Sequence, residues 1–289
     1  MTLIAGAPAP LPPLLLEPVV RAALMEDLGR AGDITTMSVV PVEAQTRGVI
    51  AARQAGVVAG LDCAGMAFRL IDPSVQVEVN RPDGSRIAVG ERVASISGSA
   101  RSILMAERVA LNFLCHLSGV ATATASLVEA VKGHRARITC TRKTTPGLRA
   151  LEKQAVRSGG GISHRFGLDD GVLIKDNHIG VAGGIRPAID RARRAIGHMV
   201  KLEVEVESLA QLTEALSAGI DAVLLDNMGP PLLAEAVVMI DGRAISEASG
   251  RITWETAAAV AATGVDVISA GWITHSAPAL DLGLDLETF

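Results

Sequence analysis

Between positions 138 and 271, six short runs rich in β-branched residues each stop on a charged or small polar residue. The runs are ITCTRK, GVLIKDN, LEVEVES, DAVLLDN, AISEASG and DVISAGW, and they end on Arg142 and Lys143, Lys175, Glu205, Asp226, Ser249 and Gly250, and Gly271. Arginine grips a carboxylate through two parallel bonds whereas lysine acts as a point charge, so the Arg142–Lys143 pair suits a substrate with several anionic groups. The segment GGGISHRFGLDDGVLIKDNHI (159–179) adds His164, Arg165 and Lys175 beside glycines that permit unusual backbone angles.

The acidic residues complete the picture. Glu205 and Asp226 close neighbouring runs, an arrangement by which two carboxylates hold Mg²⁺ while waters and substrate phosphates fill the remaining positions. Their other reading is an ion pair with the nearby lysines and arginines. Period two in LEVEVES puts Glu203, Glu205 and Glu207 on one side of their strand, where like charges repel unless one finds a cation. EASGR (247–251) and SAGWITHS (269–276) set small residues ahead of helices, where main-chain N–H groups can hold a phosphate. The six histidines lack metal-ligand spacing, so no zinc site is expected.

Something must bring these residues together. Runs of Val, Ile and Leu buried on both faces read as parallel strands, and the helical segments between them would cover the outside. Such alternation implies an α/β barrel or a doubly wound sheet. In a barrel the strand C-termini converge on one rim, so the run ends would meet there.

The first half has a different texture. Leu14 to Leu28 reads as a helix closed by Gly29, followed by a polar turn, EDLGRAGDITT (26–36). The stretches 47–60 and 75–100 carry short β patterns with Gly and Asp-Gly turns, and the alternation at Ile87, Val89, Val93, Ser95 and Ser97 suggests half-buried antiparallel strands. PDGSRIAVGERVASISG also resembles half of a lipoyl or biotin carrier, but no lysine sits at the turn that would bear the cofactor. A long helix spans 102–133. On it Leu104, Arg108, Leu111 and Cys115 share a stripe. Arg108 is either a snorkelling side chain or one presented to an anion at an interface.

Composition sets bounds. At 289 residues and 49% hydrophobic content, the chain can bury two cores, or a barrel with an appended domain. A net charge of −4 argues against a nucleic-acid surface. Cys63, Cys115 and Cys140 are odd in number and widely spaced, which fits a reducing, cytoplasmic compartment. TLIAGAPAPLPPLLL lacks a basic start and is broken by prolines, so it is a poor signal peptide, and no uninterrupted apolar run reaches the roughly 18 residues of a membrane helix.

Taken in order, GDITT (32–36), ERVALNFLCHLSGVAT (107–122), TRKTTPGLR (141–149), HRFGLDDGVLIKDNHI, EVEVES, LLDN, EASG and THS resemble the quinolinate phosphoribosyltransferase family, from about residue 15 to the end. The resemblance implies an N-terminal α/β sandwich (1–115, with the tail 277–289 packing on it) and an open, incomplete α/β barrel of six or seven parallel strands (116–276). It implies a homodimer with shared active sites, in which the sandwich of one subunit closes the barrel of the other. The implied reaction joins quinolinate and phosphoribosyl pyrophosphate into nicotinate mononucleotide, releasing pyrophosphate and CO₂, a step of de novo NAD synthesis. Quinolinate would be held by Arg142, His164, Arg165 and Lys175, with Arg108 reaching in from the partner subunit. Lys143, Glu205 and Asp226 would surround the ribose and pyrophosphate, with Mg²⁺ on the acidic pair, and Ser249, Gly250, Gly271 and His275 would cradle the 5′-phosphate. Trp272 and Ile273 depart from the smaller residues expected in SAGWITHS. Two further readings are a molybdenum-transport-associated relative with an altered carboxylate pocket, and a non-catalytic anion-binding regulator on the same fold. The presence of HR, KDNH and both acidic residues favours the quinolinate enzyme.

Overall fold

The structure is a computed structural model and describes residues 9–287. The start of the TLIAGAPAPLPPLLL stretch and the last two residues of the 277–289 tail lie outside the described residues. In chain order the helices are α1 Pro13–Leu28, α2 Ile34–Val39, α3 Leu61–Ile71, α4 Ala100–Ala130, α5 Arg149–Ser158, α6 Asp176–Ala182, α7 Ile185–Ala195, α8 Leu209–Ala218, α9 Pro230–Ile240, α10 Trp254–Ala261 and α11 Trp272–His275. The strands are β1 Gln45–Ala52, β2 Gly56–Val57, β3 Gln76–Val79, β4 Arg86–Ile87, β5 Arg92–Ser99, β6 Arg137–Thr139, β7 Val172–Ile174, β8 Leu202–Val206, β9 Ala222–Asp226, β10 Ile245–Ser249, β11 Val267–Ser269 and β12 Leu282–Leu286. They form two compact units, one of residues up to Ala125 with 144–160 and 273 onward, the other of 126–143 and 161–272.

In the first unit an antiparallel sheet runs β12-β1-β5-β3, with β2 and β4 paired separately. On β5, Ala94 and Ile96 are buried while Ser95 and Ser97 are half-buried on the alternate positions. The expected alternation stops short at Val89, which is exposed, because the Glu91 carboxylate accepts the Ala88 N–H at 2.8 Å and closes a turn after β4. Thr35 and Thr36, expected in a polar turn, are helical: the Asp33 carboxylate accepts the Thr36 N–H at 2.9 Å and caps α2, a contact that stabilises a helix by about 1 kcal/mol. Helix α3 has no counterpart in the sequence reading. It starts at a left-handed Gly60 (φ 101°), and the Asp83 carboxylate accepts the Gly60 and Leu61 N–H groups at 2.9 and 3.2 Å. That cap is 22 residues distant from Leu61, so no local signal announces it.

Helix α4 has the length and apolarity of a membrane span, but 67% of its most apolar window is buried in the protein, the character of a core helix. Ile103, Ala106, Ala110, Leu114 and Leu117 form its buried side, whereas Arg108 is exposed. The stripe through Leu104, Arg108, Leu111 and Cys115 therefore follows the margin of the buried face rather than its centre. At Gly119 the C-terminal segment lies directly on the helix: a Cβ there would come 2.1 Å from the Pro278 carbonyl oxygen.

The second unit is a parallel sheet in the order β6-β11-β10-β9-β8-β7. Strands β7 to β11 follow one another, and β6, the first in sequence, lies beside β11. This is the strand order of an α/β barrel left open between β6 and β7, and Ile162 adds a single parallel bridge to Thr139 at the β6 edge. All six expected runs form strands. Register divides their residues by parity. Ile138, Leu202, Val204, Val206, Val223, Leu225, Ala248 and Ile268 occupy one face and are almost completely buried. Helices α7, α8, α9 and α10 pack on the sheet, and their Ile189, Leu212, Leu233, Ala236 and Val260 are buried. The alternate positions carry Thr139, Glu203, Glu205, Asp226, Glu247, Ser249 and Ser269 on the other face.

Gly119→Ala is expected to destabilise the protein by about 2 kcal/mol in urea unfolding, because the collision is with backbone and cannot be relieved by a rotamer change. A neutral or stabilising result would show that the segment around Pro278 does not rest on α4.

Candidate functional site

The polar face of the parallel sheet gathers charge in two tiers. Toward the strand C-termini stand Lys175, just beyond β7, then Glu205 on β8, Asp226 on β9 and Ser249 on β10. The Lys175 ammonium donates to the Glu205 carboxylate, so the ion-pair reading of Glu205 holds in this state. Asp226 accepts the side-chain N–H of Asn227 at 2.6 Å. Deeper in the sheet, the buried carboxylates Glu203 and Glu247 flank His164, whose Nε2 lies 3.1 Å from Glu203 Oε2 and 3.6 Å from Glu247 Oε2.

Loop 161–171 supplies the facing cations. The Asp170 carboxylate accepts the Phe166 and Gly167 N–H groups at 2.6 and 3.0 Å, which closes the loop on itself. Arg165 donates from Nη1 to the Gly171 carbonyl at 3.0 Å. Burial, followed by the charge of Arg142, lowers the Arg165 pKa from its ordinary value. Two guanidiniums close enough to repel are disposed to receive an anion. Of the three glycines at 159–161, Gly160 takes a left-handed φ of 88°, whereas Gly159 makes room for the Ala121 carbonyl, which would be 2.4 Å from a Cβ.

On the far side of the site, Gly250 (φ 104°) approaches Asn227 so closely that a Cβ would meet its side-chain oxygen at 2.3 Å. The indole N–H of Trp272 donates to the Ile252 carbonyl at 2.8 Å, so this departure from the expected pattern fastens the loop after β10 to the segment after β11. Ile273 is fully buried. The N-terminus of α10 is closed by its own capping box between Thr253 and Thr256, and α11 is only four residues long. Ser249, Gly250 and Gly271 are the small groups at these strand ends.

The structure thus brings Arg142, Lys143, His164, Arg165, Lys175, Glu205, Asp226, Ser249, Gly250 and Gly271 into the second unit. Lys143 is exposed, with its main-chain N–H on Thr141 Oγ1 at 3.0 Å. Arg108 and His275 belong to the first unit, both exposed, and His275 Nδ1 lies 2.6 Å from Ser276 Oγ. Glu207 is exposed and sits apart from Glu203 and Glu205 in burial. Glu247 was not singled out from sequence, although a glutamate inside ISEAS, a strand that is otherwise small or apolar, signals a buried carboxylate in need of a partner. Its carboxyl is pushed up to about 7, first by burial and then by the Glu203 charge, against the opposing pull of His164.

Among the described residues two donor sets could serve a cation. His164, Glu203 and Glu247 place ligand atoms within 4.8 Å of one another, but the imidazole already occupies the space between the carboxylates. Glu205 and Asp226 offer oxygen atoms on one face of neighbouring strand ends, the hard donor chemistry that Mg²⁺ takes.

An open α/β barrel with clustered guanidiniums, an ammonium and paired carboxylates at its strand ends defines an enzyme scaffold built for an anionic substrate. Family models for the quinolinate phosphoribosyl transferase N-terminal and C-terminal domains match residues 33–118 and 120–285. The chain is 42% identical over 273 residues to a probable nicotinate-nucleotide pyrophosphorylase [carboxylating] of Bacillus subtilis, covering 94% of each chain. It is 44% identical to the nicotinate-nucleotide pyrophosphorylase [carboxylating] of Mycobacterium leprae, covering 92% of this chain and 95% of that one. The crystal structure of NadC from Streptococcus pyogenes superimposes with a TM-score of 0.93 at 42% identity, over 97% of this chain and 99% of the other. The chain belongs to the quinolinate phosphoribosyltransferase family.

Glu247 gives a pH signature. Between 4.5, its ordinary value, and about 7, the unfolded chain has released a proton that the folded chain retains, so folding stability falls as pH rises through that window. Glu247→Gln removes this loss. Its stability gain over the natural protein is expected to grow from near zero at about pH 5 to about 2 kcal/mol at about pH 8 in thermal unfolding. A difference that does not change with pH would contradict the assignment.

Proposed function

We propose that the protein transfers the phosphoribosyl group of phosphoribosyl pyrophosphate to quinolinate and releases pyrophosphate and CO₂, giving nicotinate mononucleotide for de novo NAD synthesis. The observations that carry this reading are the closeness of Arg142 to Arg165 and the Lys175–Glu205 pair on a sheet face whose carboxylates stand on adjacent strands. A pyridine dicarboxylate matches such a cluster, since each carboxylate can take a forked guanidinium.

In this reading Arg142, His164, Arg165 and Lys175 bind the two carboxylates and orient the ring nitrogen toward the ribose. Lys175 then exchanges Glu205 for substrate, which frees that carboxylate. Glu205 and Asp226 would hold Mg²⁺, which when bound neutralises charge on the pyrophosphate. Lys143, exposed at the end of its run, adds a further positive charge to the leaving group, and Ser249, Gly250, Gly271 and His275 receive the 5′-phosphate. The ring nitrogen forms a bond to the anomeric carbon as the carbon–oxygen bond to pyrophosphate breaks. The ring becomes cationic and draws electrons from the adjacent carboxylate. Loss of CO₂ leaves the bonding pair on the ring carbon, which takes a proton from solvent. No covalent protein intermediate is needed.

The exposed Arg108 on α4 supports a homodimer in which this side chain completes the partner's site, and dimers can associate further. The free thiols Cys63, Cys115 and Cys140 support a cytoplasmic setting.

The test is release of CO₂ and nicotinate mononucleotide from quinolinate, phosphoribosyl pyrophosphate and Mg²⁺, with nicotinate as control. Stoichiometric release from quinolinate alone is expected, and silence with both acids would refute the proposal. Arg142→Ala and Lys175→Ala are expected to weaken quinolinate binding at least about tenfold in isothermal titration while sparing phosphoribosyl pyrophosphate. A parallel loss of both affinities would contradict those roles. Mixing inactive Arg108→Ala and Asp226→Ala proteins should restore activity, since each mixed dimer holds one intact site, and no recovery would rule out shared sites.

A further inference from the structure

We propose that Arg251 is a further binding residue for the 5′-phosphate of the phosphoribosyl substrate, supplying a positive charge that these strand ends otherwise lack. The inference rests on the proposed phosphoribosyl reading for the identity of the ligand. Asp226 ends β9, Ser249 ends β10 in register with it, and Ser269 ends β11. In the segments that follow these three ends, 227–229, 250–253 and 270–271, Arg251 is the one cation. A phosphate monoester carries about −1.5 to −2 charge near neutrality. Held beyond β10, it would stand one strand from the Asp226 carboxylate, and small residues with main-chain N–H groups bring no full charge to offset that repulsion.

The backbone makes an idle arginine unfavourable at this position. Arg251 has a φ of 50°, in the left-handed region that glycine enters without penalty and asparagine tolerates, but where an arginine is strained. The loop is fixed on both sides of it. The Asn227 N–H donates to the Ser249 carbonyl at 2.9 Å, and Gly250 lies against Asn227. Beyond Arg251, the carbonyl of the buried Ile252 accepts the Trp272 indole N–H at 2.8 Å. Arg251 is thus kept in a left-handed turn between two anchored neighbours.

Its side chain does nothing for the fold. Arg251 is exposed, and its guanidinium makes no hydrogen bond or ion pair among the described residues. Arg165, by contrast, donates to the Gly171 carbonyl, and Lys175 is paired with Glu205. Strain in the main chain together with an unengaged fork of donors points to a residue retained for a ligand. The planar guanidinium can bond two phosphate oxygens at once, which an ammonium does not match. In the sheet order, Lys175 beyond β7 and Arg251 beyond β10 then stand on either side of the acidic strands β8 and β9. One end of the reacting pair is held by its carboxylates and the other by its phosphate.

Two variants decide it. Arg251→Asn removes the charge yet suits the left-handed backbone, and Arg251→Lys keeps the charge without the fork. In titration calorimetry Arg251→Asn is expected to weaken ribose 5-phosphate binding at least about tenfold, and Arg251→Lys to recover part of that loss. Pyrophosphate and quinolinate should bind both variants as they bind the natural protein, and the melting temperature of Arg251→Asn should not fall. Unchanged ribose 5-phosphate affinity in Arg251→Asn would overturn the proposal. An equal loss for pyrophosphate would overturn it too, by showing a general attraction for anions, and a lower melting temperature with every ligand weakened would assign Arg251 to the fold. Calorimetry needs no turnover, so the two readings fail separately. Ribose 5-phosphate bound through Arg251 without formation of nicotinate mononucleotide would refute the proposed reaction and leave this site standing, whereas a natural protein that binds no ribose 5-phosphate would overturn the site.

Discussion

Charged groups on one face of a parallel sheet must be offset by opposite charges or remain costly, and this constraint organises the second unit. Glu205 meets Lys175, and Glu203 and Glu247 meet the His164 ring. These contacts link strands that are separated in sequence, so the electrostatics of the face also ties the sheet together. Arg142 and Arg165 lie close enough to repel, and burial first, then the Arg142 charge, lowers the basicity of Arg165 against the pull of Asp170 and Glu203. A dianionic substrate would relieve that repulsion.

The apolar face explains why such a layer can exist. Leu202, Val204 and Val206 of β8 alternate with Glu203 and Glu205, so a single strand both anchors in the core under α8 and presents carboxylates. Shifting the register by one residue would bury the glutamates against helices and expose the valines. Fold and site are consequently specified by the same alternation. Trp272 and Gly250 extend this economy to the rim, one by a hydrogen bond across loops and the other by leaving room for Asn227.

Much of this was readable from local patterns. The six β runs and their terminal residues were apparent because strand parity and strand ends leave periodic marks, and the long central helix was foreseen at 102–133 where it runs 100–130. Contacts made across the chain were not readable. The cap of α3 comes from Asp83, and the partner of His164 is a pair of glutamates on β8 and β10. Glu203 stood in the sequence only as a competitor of Glu205, and Glu247 drew no notice in EASG because period two cannot say which carboxylate finds a cation. The family motifs supplied residue roles that periodicity had left open.

The account turns on where the substrate carboxylates lie. A crystal structure of the protein with quinolinate would test it most directly. The prediction is that both carboxylates rest on the guanidiniums of Arg142 and Arg165 and the ammonium of Lys175, with the Lys175–Glu205 bond broken and His164 still between Glu203 and Glu247. Quinolinate bound away from that face, or bound there with the Lys175–Glu205 pair intact and the arginines uninvolved, would contradict the account.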